Sequence, residues 1–209
     1  MSLNPQQTFD AWAADYDRVV QQSAVDESYP FAGYGRVLDT IVRQAQVRPG
    51  AAILDLGTGT GKLAARFVAA GCSVLGTDFS PEMLARARAN VPAAQFVPVD
   101  FFGDWPPELN TRFDGIVSSY VFHEFDLENK IALLRRLQRD CLKPDGRIVI
   151  GDFMFPPAAA RAAARERWAA AWDEEHYWIV AEVLPALQAA GFSAAYEPIS
   201  VCGGLIVIR

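Results

Sequence analysis

Three glycines, Gly57, Gly59 and Gly61, stand one residue apart in Asp55-Leu-Gly57-Thr58-Gly59-Thr-Gly61-Lys, a spacing suited to gripping a nucleotide-like ligand with backbone instead of side chains. Without a Cβ the chain can turn tightly, accept positive φ and aim N–H groups at a ligand at the head of the next helix. Two carboxylates downstream, Asp78 and Asp100, each close an apolar run. In open α/β sheets ligands bind outside the carboxyl ends of strands, and one carboxylate there can accept hydrogen bonds from two neighbouring ribose hydroxyls. His123 and His176 are the two histidines of the chain and the first candidates for a proton acceptor. A phosphate-cradling P-loop is excluded, because Gly61-Lys62 is followed by Leu63 where that motif needs Ser or Thr. A dinucleotide fingerprint, Gly-x-Gly-x-x-Gly/Ala, can be laid on Gly59, Gly61 and Ala64 with Asp78 as its ribose acid, and on the motif alone that reading stands.

The elements needed to bring these residues together follow from the apolar pattern. Residues 51–56 form a continuous apolar run, the mark of a strand covered on both faces, and the glycines follow it directly. A helix is predicted over 62–70 and ends at Gly71; a second strand over 72–77 delivers Asp78. Ser80-Pro81-Glu82 supplies an N-cap and N1 proline for the next helix, which frees Asp78 from that duty. A third strand over 95–99 ends at Asp100-Phe101, a fourth over 112–120 ends in Ser118-Ser119-Tyr120, and His123-Glu124 follow. A helix over 127–142, the turn Lys143-Pro-Asp-Gly146 and a fifth strand over 147–155 come next, then further helix. Strands over 193–200 and 203–208 are too close for a parallel crossover and must pair antiparallel. Ahead of the first strand, Phe9, Trp12 and Tyr16 mark an apolar helical stripe.

Bulk properties narrow the partners. A chain of 209 residues suits one domain with a sizeable core, and 51% hydrophobic with 21% charged residues is ordinary globular composition. A net charge of -6 opposes nucleic acid, whose binding draws on Lys and Arg, and no apolar run is long enough to span a membrane. Cys72, Cys141 and Cys202 lack metal-ligand spacing, so no metal site is expected from them. With no basic-then-apolar leader, the cytoplasm is the expected compartment, for a monomer or homodimer.

Taken whole, Asp55-Leu-Gly57-Thr58-Gly59-Thr-Gly61 resembles motif I of the class I S-adenosylmethionine-dependent methyltransferases. Phe113-Asp-Gly-Ile-Val-Ser118-Ser-Tyr120 resembles motif IV, and Leu-Lys-Pro-Asp-Gly-Arg-Ile-Val-Ile resembles motif VI. Trp12-Ala-Ala-Asp-Tyr16-Asp resembles the Trp-x-x-x-Tyr-Asp segment of a helical lid in small bacterial-type enzymes of the YrrT sort. The resemblance implies an α/β fold, a Rossmann-like seven-stranded, mainly parallel sheet with helices on both faces and an antiparallel C-terminal strand. It implies one methyltransferase domain over 1–209, with residues 1–50 as lid and 51–209 as core. S-adenosyl-L-methionine would then contact Asp55, Gly57, Thr58, Gly59 and Ser118. Asp78 would take the ribose, Phe79 and Met83 would border the adenine, Asp100 would face its exocyclic amine beside Phe101, and Tyr16 would reach the methionine end. The Asn/Asp-Pro-Pro-Tyr of enzymes that methylate adenine bases or amide nitrogens is missing, which together with the charge implies a small-molecule acceptor. His123 or His176 would take a proton from that acceptor, with Glu124, Asp152 and Glu175 as further candidates. Two other readings use the same residues: an NAD-dependent oxidoreductase, against which stands the closing hairpin, and a binding protein without catalysis.

Overall fold

The computed structural model describes Arg18, Val20 and residues 29–209. The first lid helix, with Tyr16, lies outside the described residues. Helix α1 (Tyr34–Ala45) precedes β1 (Ala52–Leu56), and the chain continues as α2 (Lys62–Ala69), β2 (Ser73–Asp78), α3 (Pro81–Asn90), β3 (Gln95–Pro98) and β4 (Phe113–Ser119). After α4 (Leu127–Asp140) come β5 (Leu142–Phe155), α5 (Ala158–Arg167), β6 (Trp178–Ile179), α6 (Val180–Ala189), β7 (Ala194–Pro198) and β8 (Gly203–Ile208).

Among the described residues the sheet runs β3-β2-β1-β4-β5-β8-β7, with β6 paired to β5 off that path, so the expected seven strands gain a short eighth. Strands β1 to β5 pair parallel, and β8 pairs antiparallel with β5 and β7. The central strands are buried on both sides, as their unbroken apolar runs require: Ile53, Leu54, Ile116 and Val149 have no exposed surface. One face packs against α1, α2 and α3 through Leu38, Phe67 and Leu84, the other against α4 and α6 through Leu134 and Leu187. Two helix starts are set by capping: the Ser80 hydroxyl accepts the Met83 N–H at 3.1 Å, and the Asp126 carboxylate accepts the Asn129 N–H at 2.8 Å. The Lys143-Pro-Asp-Gly146 turn does not precede β5 but interrupts its start, where the register jumps from Phe113↔Leu142 to Gly115↔Arg147.

Close approach of α1 to the sheet rests on Gly151 of β5. A Cβ there would lie 2.5 Å from Val37 Cγ1 and 2.8 Å from Ile41 Cδ1. Gly151→Ala is therefore expected to overpack this contact and to lower stability by about 1–3 kcal/mol in urea unfolding. A change inside the scatter of such measurements would show that α1 does not rest on β5.

Candidate functional site

The glycine loop leaves β1 with its backbone in a form that only glycine suits. Gly57 has φ 63°, and a Cβ on it would lie 2.3 Å from Val121 Cγ2. At Gly59 a Cβ would meet nothing within 4 Å, so this part of the loop faces open space. Two bonds hold the loop to the neighbouring strand: the Thr58 N–H donates to the Thr77 carbonyl at 2.8 Å, and the Gly59 N–H donates to Asp78 Oδ2 at 2.9 Å. Asp78 Oδ1 accepts the Ser80 N–H at 3.0 Å, so the carboxylate is oriented before any ligand arrives.

Beneath the loop lies Asp55, fully buried at the end of β1. The Thr58 hydroxyl donates to its Oδ2 at 2.7 Å, while Oδ1 has no well-formed hydrogen bond among the described residues. Burial raises this carboxyl to about 7, the Thr58 hydroxyl opposes the rise, and the charge of Asp78 adds to it. With no exposed surface, Asp55 supports the loop from within through Thr58, with the Ala64 backbone as its further donor, and does not itself reach a ligand.

The loop opens on a cleft of about 620 Å³, within the range of small-ligand sites. Gly57, Gly59, Asp78, Phe79 and Met83 line one side of it, residues 98–102 extend it, and residues 119–121 with Glu124 and Phe125 line the other. The sequence-predicted Asp100 and Phe101 are thus at the rim; Asp100 is exposed, with Oδ1 accepting the Phe102 N–H at 3.0 Å. Thr58 is buried and spends its hydroxyl on Asp55. Ser118 is not on the cleft. It is fully buried, and its hydroxyl donates to the Leu56 carbonyl at 2.9 Å, tying β4 to β1, while its neighbours Ser119 and Tyr120 line the wall. Phe102, Val121 and Phe125 were missed by the sequence reading, although each adjoins a residue or motif that it singled out.

Beyond Val121 the short 3-10 turn Phe122–Glu124 carries the conspicuous polar cluster. His123 Nδ1 lies 2.7 Å from Asp152 Oδ1, and its Nε2 lies 3.5 Å from Glu124 Oε1 and 3.9 Å from Glu175 Oε2. Asp152, at the far end of β5, is fully buried and also accepts the His123 N–H at 2.9 Å, the Trp178 Nε1–H at 3.0 Å and the Phe153 N–H at 2.8 Å. Burial alone would discharge His123, but the charge and hydrogen bond of Asp152, helped by Glu124 and Glu175, outweigh it and push the imidazole up to about 10. At neutral pH the ring therefore carries its proton, and it is a donor in this arrangement. Burial raises the carboxyl of Glu175 above its ordinary range, with His123 acting in the opposite direction.

His176 is brought near through its backbone. Its N–H donates to the His123 carbonyl at 2.9 Å and its carbonyl accepts from Lys130, but its ring is exposed and is not on the cleft wall. Lys130 is buried, donates also to the Phe125 carbonyl at 2.6 Å and sits 5.2 Å over the Trp178 ring. The aromatics Phe153, Phe155, Tyr177 and Trp178 are buried in the core and do not line the cleft. A further cavity of about 660 Å³ lies at the opposite end of the strands, between residues 45–51 and 143–147, where the carboxyl-end rule places no ligand.

The family model described as a methyltransferase domain matches residues 53–146. The uncharacterized methyltransferase YrrT of Bacillus subtilis is 35% identical over 160 residues, which cover 76% of this chain and 72% of that protein. A methyltransferase of Geobacillus kaustophilus is 34% identical over 204 residues, covering 90% of this chain and 88% of the relative. The chain belongs to the YrrT-like S-adenosylmethionine-dependent methyltransferases. The fold agrees: the structure of DhpI in complex with S-adenosylhomocysteine superposes with a TM-score of 0.73 at 18% identity, covering 98% of this methyltransferase and 94% of DhpI. S-adenosylmethionine is its cofactor, and the oxidoreductase reading of the same glycines is set aside. The residues present fit that group: an open cradle at Gly59 and an oriented carboxylate at Asp78, on a loop that Asp55 fastens from beneath through Thr58.

The buried histidine gives the methyltransferase a signature in pH. A group raised from 6.5 to about 10 contributes stability that is full below 6.5 and fades as the pH climbs toward 10. Lys130, lowered by burial to about 8, acts oppositely between 8 and its ordinary 10.5, and Asp55, raised to about 7, acts in the same sense as His123 up to that pH, so the clean window is pH 7–8. Across that window urea unfolding should show stability falling by up to about 1.4 kcal/mol per pH unit, the ceiling for one proton, and His123→Gln should flatten the slope. Equal slopes in both proteins would mean that His123 is not held as a cation.

Proposed function

We propose that this methyltransferase moves a methyl group from S-adenosylmethionine to a small-molecule acceptor, in the cytoplasm, as a monomer or homodimer. One observation carries the reading: a single cleft joins the glycine loop and Asp78 to a wall of Tyr120, Glu124 and Phe125, so there is room for a donor and an acceptor side by side. The acceptor class is supported by the size of that cleft, by its acidic wall and by a net charge of -6, all of which disfavour a polyanion.

Bound S-adenosylmethionine supplies a methyl on a sulfonium, which is already a good leaving group. The protein's share is to hold and to exclude. Gly57 and Gly59 bring backbone close to the ligand, and Asp78 offers the ribose hydroxyls a carboxylate already oriented by two N–H donors. Asp55 holds the loop from beneath through the hydroxyl of Thr58. Phe79 and Met83 would flank the adenine, Asp100 would accept from its amine and Phe101 would pack beside it, all four lining the cleft, and Tyr16 would serve the methionine end. With donor and acceptor aligned in a space that excludes water, positioning supplies most of the rate. Where the acceptor gives up a proton, Glu124 is the carboxylate on the cleft wall. His123, which carries its own proton, orients this region through Asp152, and His176 contributes through its backbone bond to His123.

Isothermal titration with S-adenosylhomocysteine tests the donor half: Asp78→Ala should weaken binding by at least about tenfold, the loss expected for removing a charged acceptor. Incubating the enzyme with methyl-tritiated S-adenosylmethionine and a cell extract tests the acceptor half. Label should enter the low-molecular-weight fraction; label in RNA or protein would overturn the small-molecule reading.

A further inference from the structure

We propose that His123, Glu124 and Glu175 form a site for a divalent first-row transition metal, of the zinc or manganese type, in the wall of the cleft. One ligand atom from each residue lies within 4.8 Å of the other two. The separations of 3.5 and 3.9 Å from His123 Nε2 to the two carboxylates exceed the ordinary N–H···O range of about 2.7–3.2 Å, so neither carboxylate is well bonded to the ring. The shorter is what an ion would impose, and the longer would have to close by about half an ångström. Ligand atoms about 2.1 Å from a tetrahedral zinc stand roughly 3.4 Å apart.

A second observation concerns the ring itself. His123 is 7% exposed, and its Nδ1 is taken by Asp152, which leaves Nε2 directed at the carboxylate pair. Asp152 is in turn fixed by three further donors, the N–H groups of His123 and Phe153 and the indole of Trp178. A buried carboxylate behind an imidazole is the outer-shell arrangement that orients metal-bound histidines. The segments that carry the ligands are also joined without an ion: the His176 N–H bonds the His123 carbonyl, and Lys130 bridges the carbonyls of Phe125 and His176. Three carboxylates, Asp152, Glu124 and Glu175, stand against two cations, the His123 ring and Lys130, so a negative charge is left over, and a metal would bind by displacing the Nε2 proton of His123. Because Glu124 lines the cleft, the ion would stand beside the acceptor, where a Lewis acid can lower the pKa of a ligated hydroxyl or water. Cysteine spacing carried no hint of such a site, because its ligands are a histidine and two glutamates from separate segments.

The test is titration of tag-free, chelator-treated full-length protein with zinc chloride by calorimetry, and with manganese by electron paramagnetic resonance. Neither needs cofactor or acceptor, so the outcome is independent of the methyl-transfer reading. One saturable site is expected, weakened at least about tenfold by Glu124→Gln and by Glu175→Gln, with the binding of S-adenosylhomocysteine by Glu175→Gln unchanged. Absence of saturable binding below about 100 μM, or binding that survives both substitutions, would overturn the proposal. So would tight binding of methylammonium in place of either metal, lost in the same variants, which would make the cluster a subsite for a cationic acceptor.

Discussion

The Gly59 N–H to Asp78 hydrogen bond is the interaction on which the cleft depends. It joins the loop leaving β1 to the end of β2, and with the Thr58 bond to Thr77 it makes two adjacent parallel strands present their carboxyl ends as one surface. The strand order explains why a cleft exists there at all. The chain winds outward from β1 through β2 to β3, then returns to place β4 on the other side of β1, and the connections leaving β1 and β4 diverge in opposite directions. A crevice outside the strand ends at such a switch point is the usual ligand seat of open α/β sheets. Ser118, off the crevice itself, ties β4 to β1 by donating across to the Leu56 carbonyl.

A second centre of order is Asp152. It has no exposure, yet four donors converge on its two oxygens, which is how a buried charge is made tolerable. Through it the indole of Trp178, the ring and backbone of His123 and the end of β5 become one rigid unit, so that the turn beyond β4 and the segment before β6 meet in a fixed geometry. The pair formed with His123 decides the charge of a ring that lies behind Glu124 and off the cleft wall itself.

Much of this was legible from residue order. The apolar run of β1 marked a strand covered on both faces, and the short spacing before β8 required an antiparallel pair. The glycine loop and the two acids at strand ends located the cofactor rim, because these signals are local: each depends on a turn, a cap or a strand end. What failed to show was non-local. Nothing in the sequence distinguished Ser118, turned to the Leu56 carbonyl, from Ser119 on the wall, and nothing tied Glu175 to His123 across 52 positions of chain (175 less 123). The charge of His123 was hidden for the same reason, since it comes from Asp152 on another strand. Burial of Phe153, Tyr177 and Trp178 likewise follows from how β5 and β6 pair, and aromatic content alone could not separate core from pocket.

The central claim is that the carboxyl ends of β1, β2 and β3 grip the adenosyl part of the cofactor. A crystal structure of the methyltransferase soaked with S-adenosylhomocysteine measures this most directly. The account predicts the ribose hydroxyls on the Asp78 carboxylate, with the adenine between Met83 and Phe101. Ligand density in the cavity between residues 45–51 and 143–147, or a ribose held by some other residue, would contradict it.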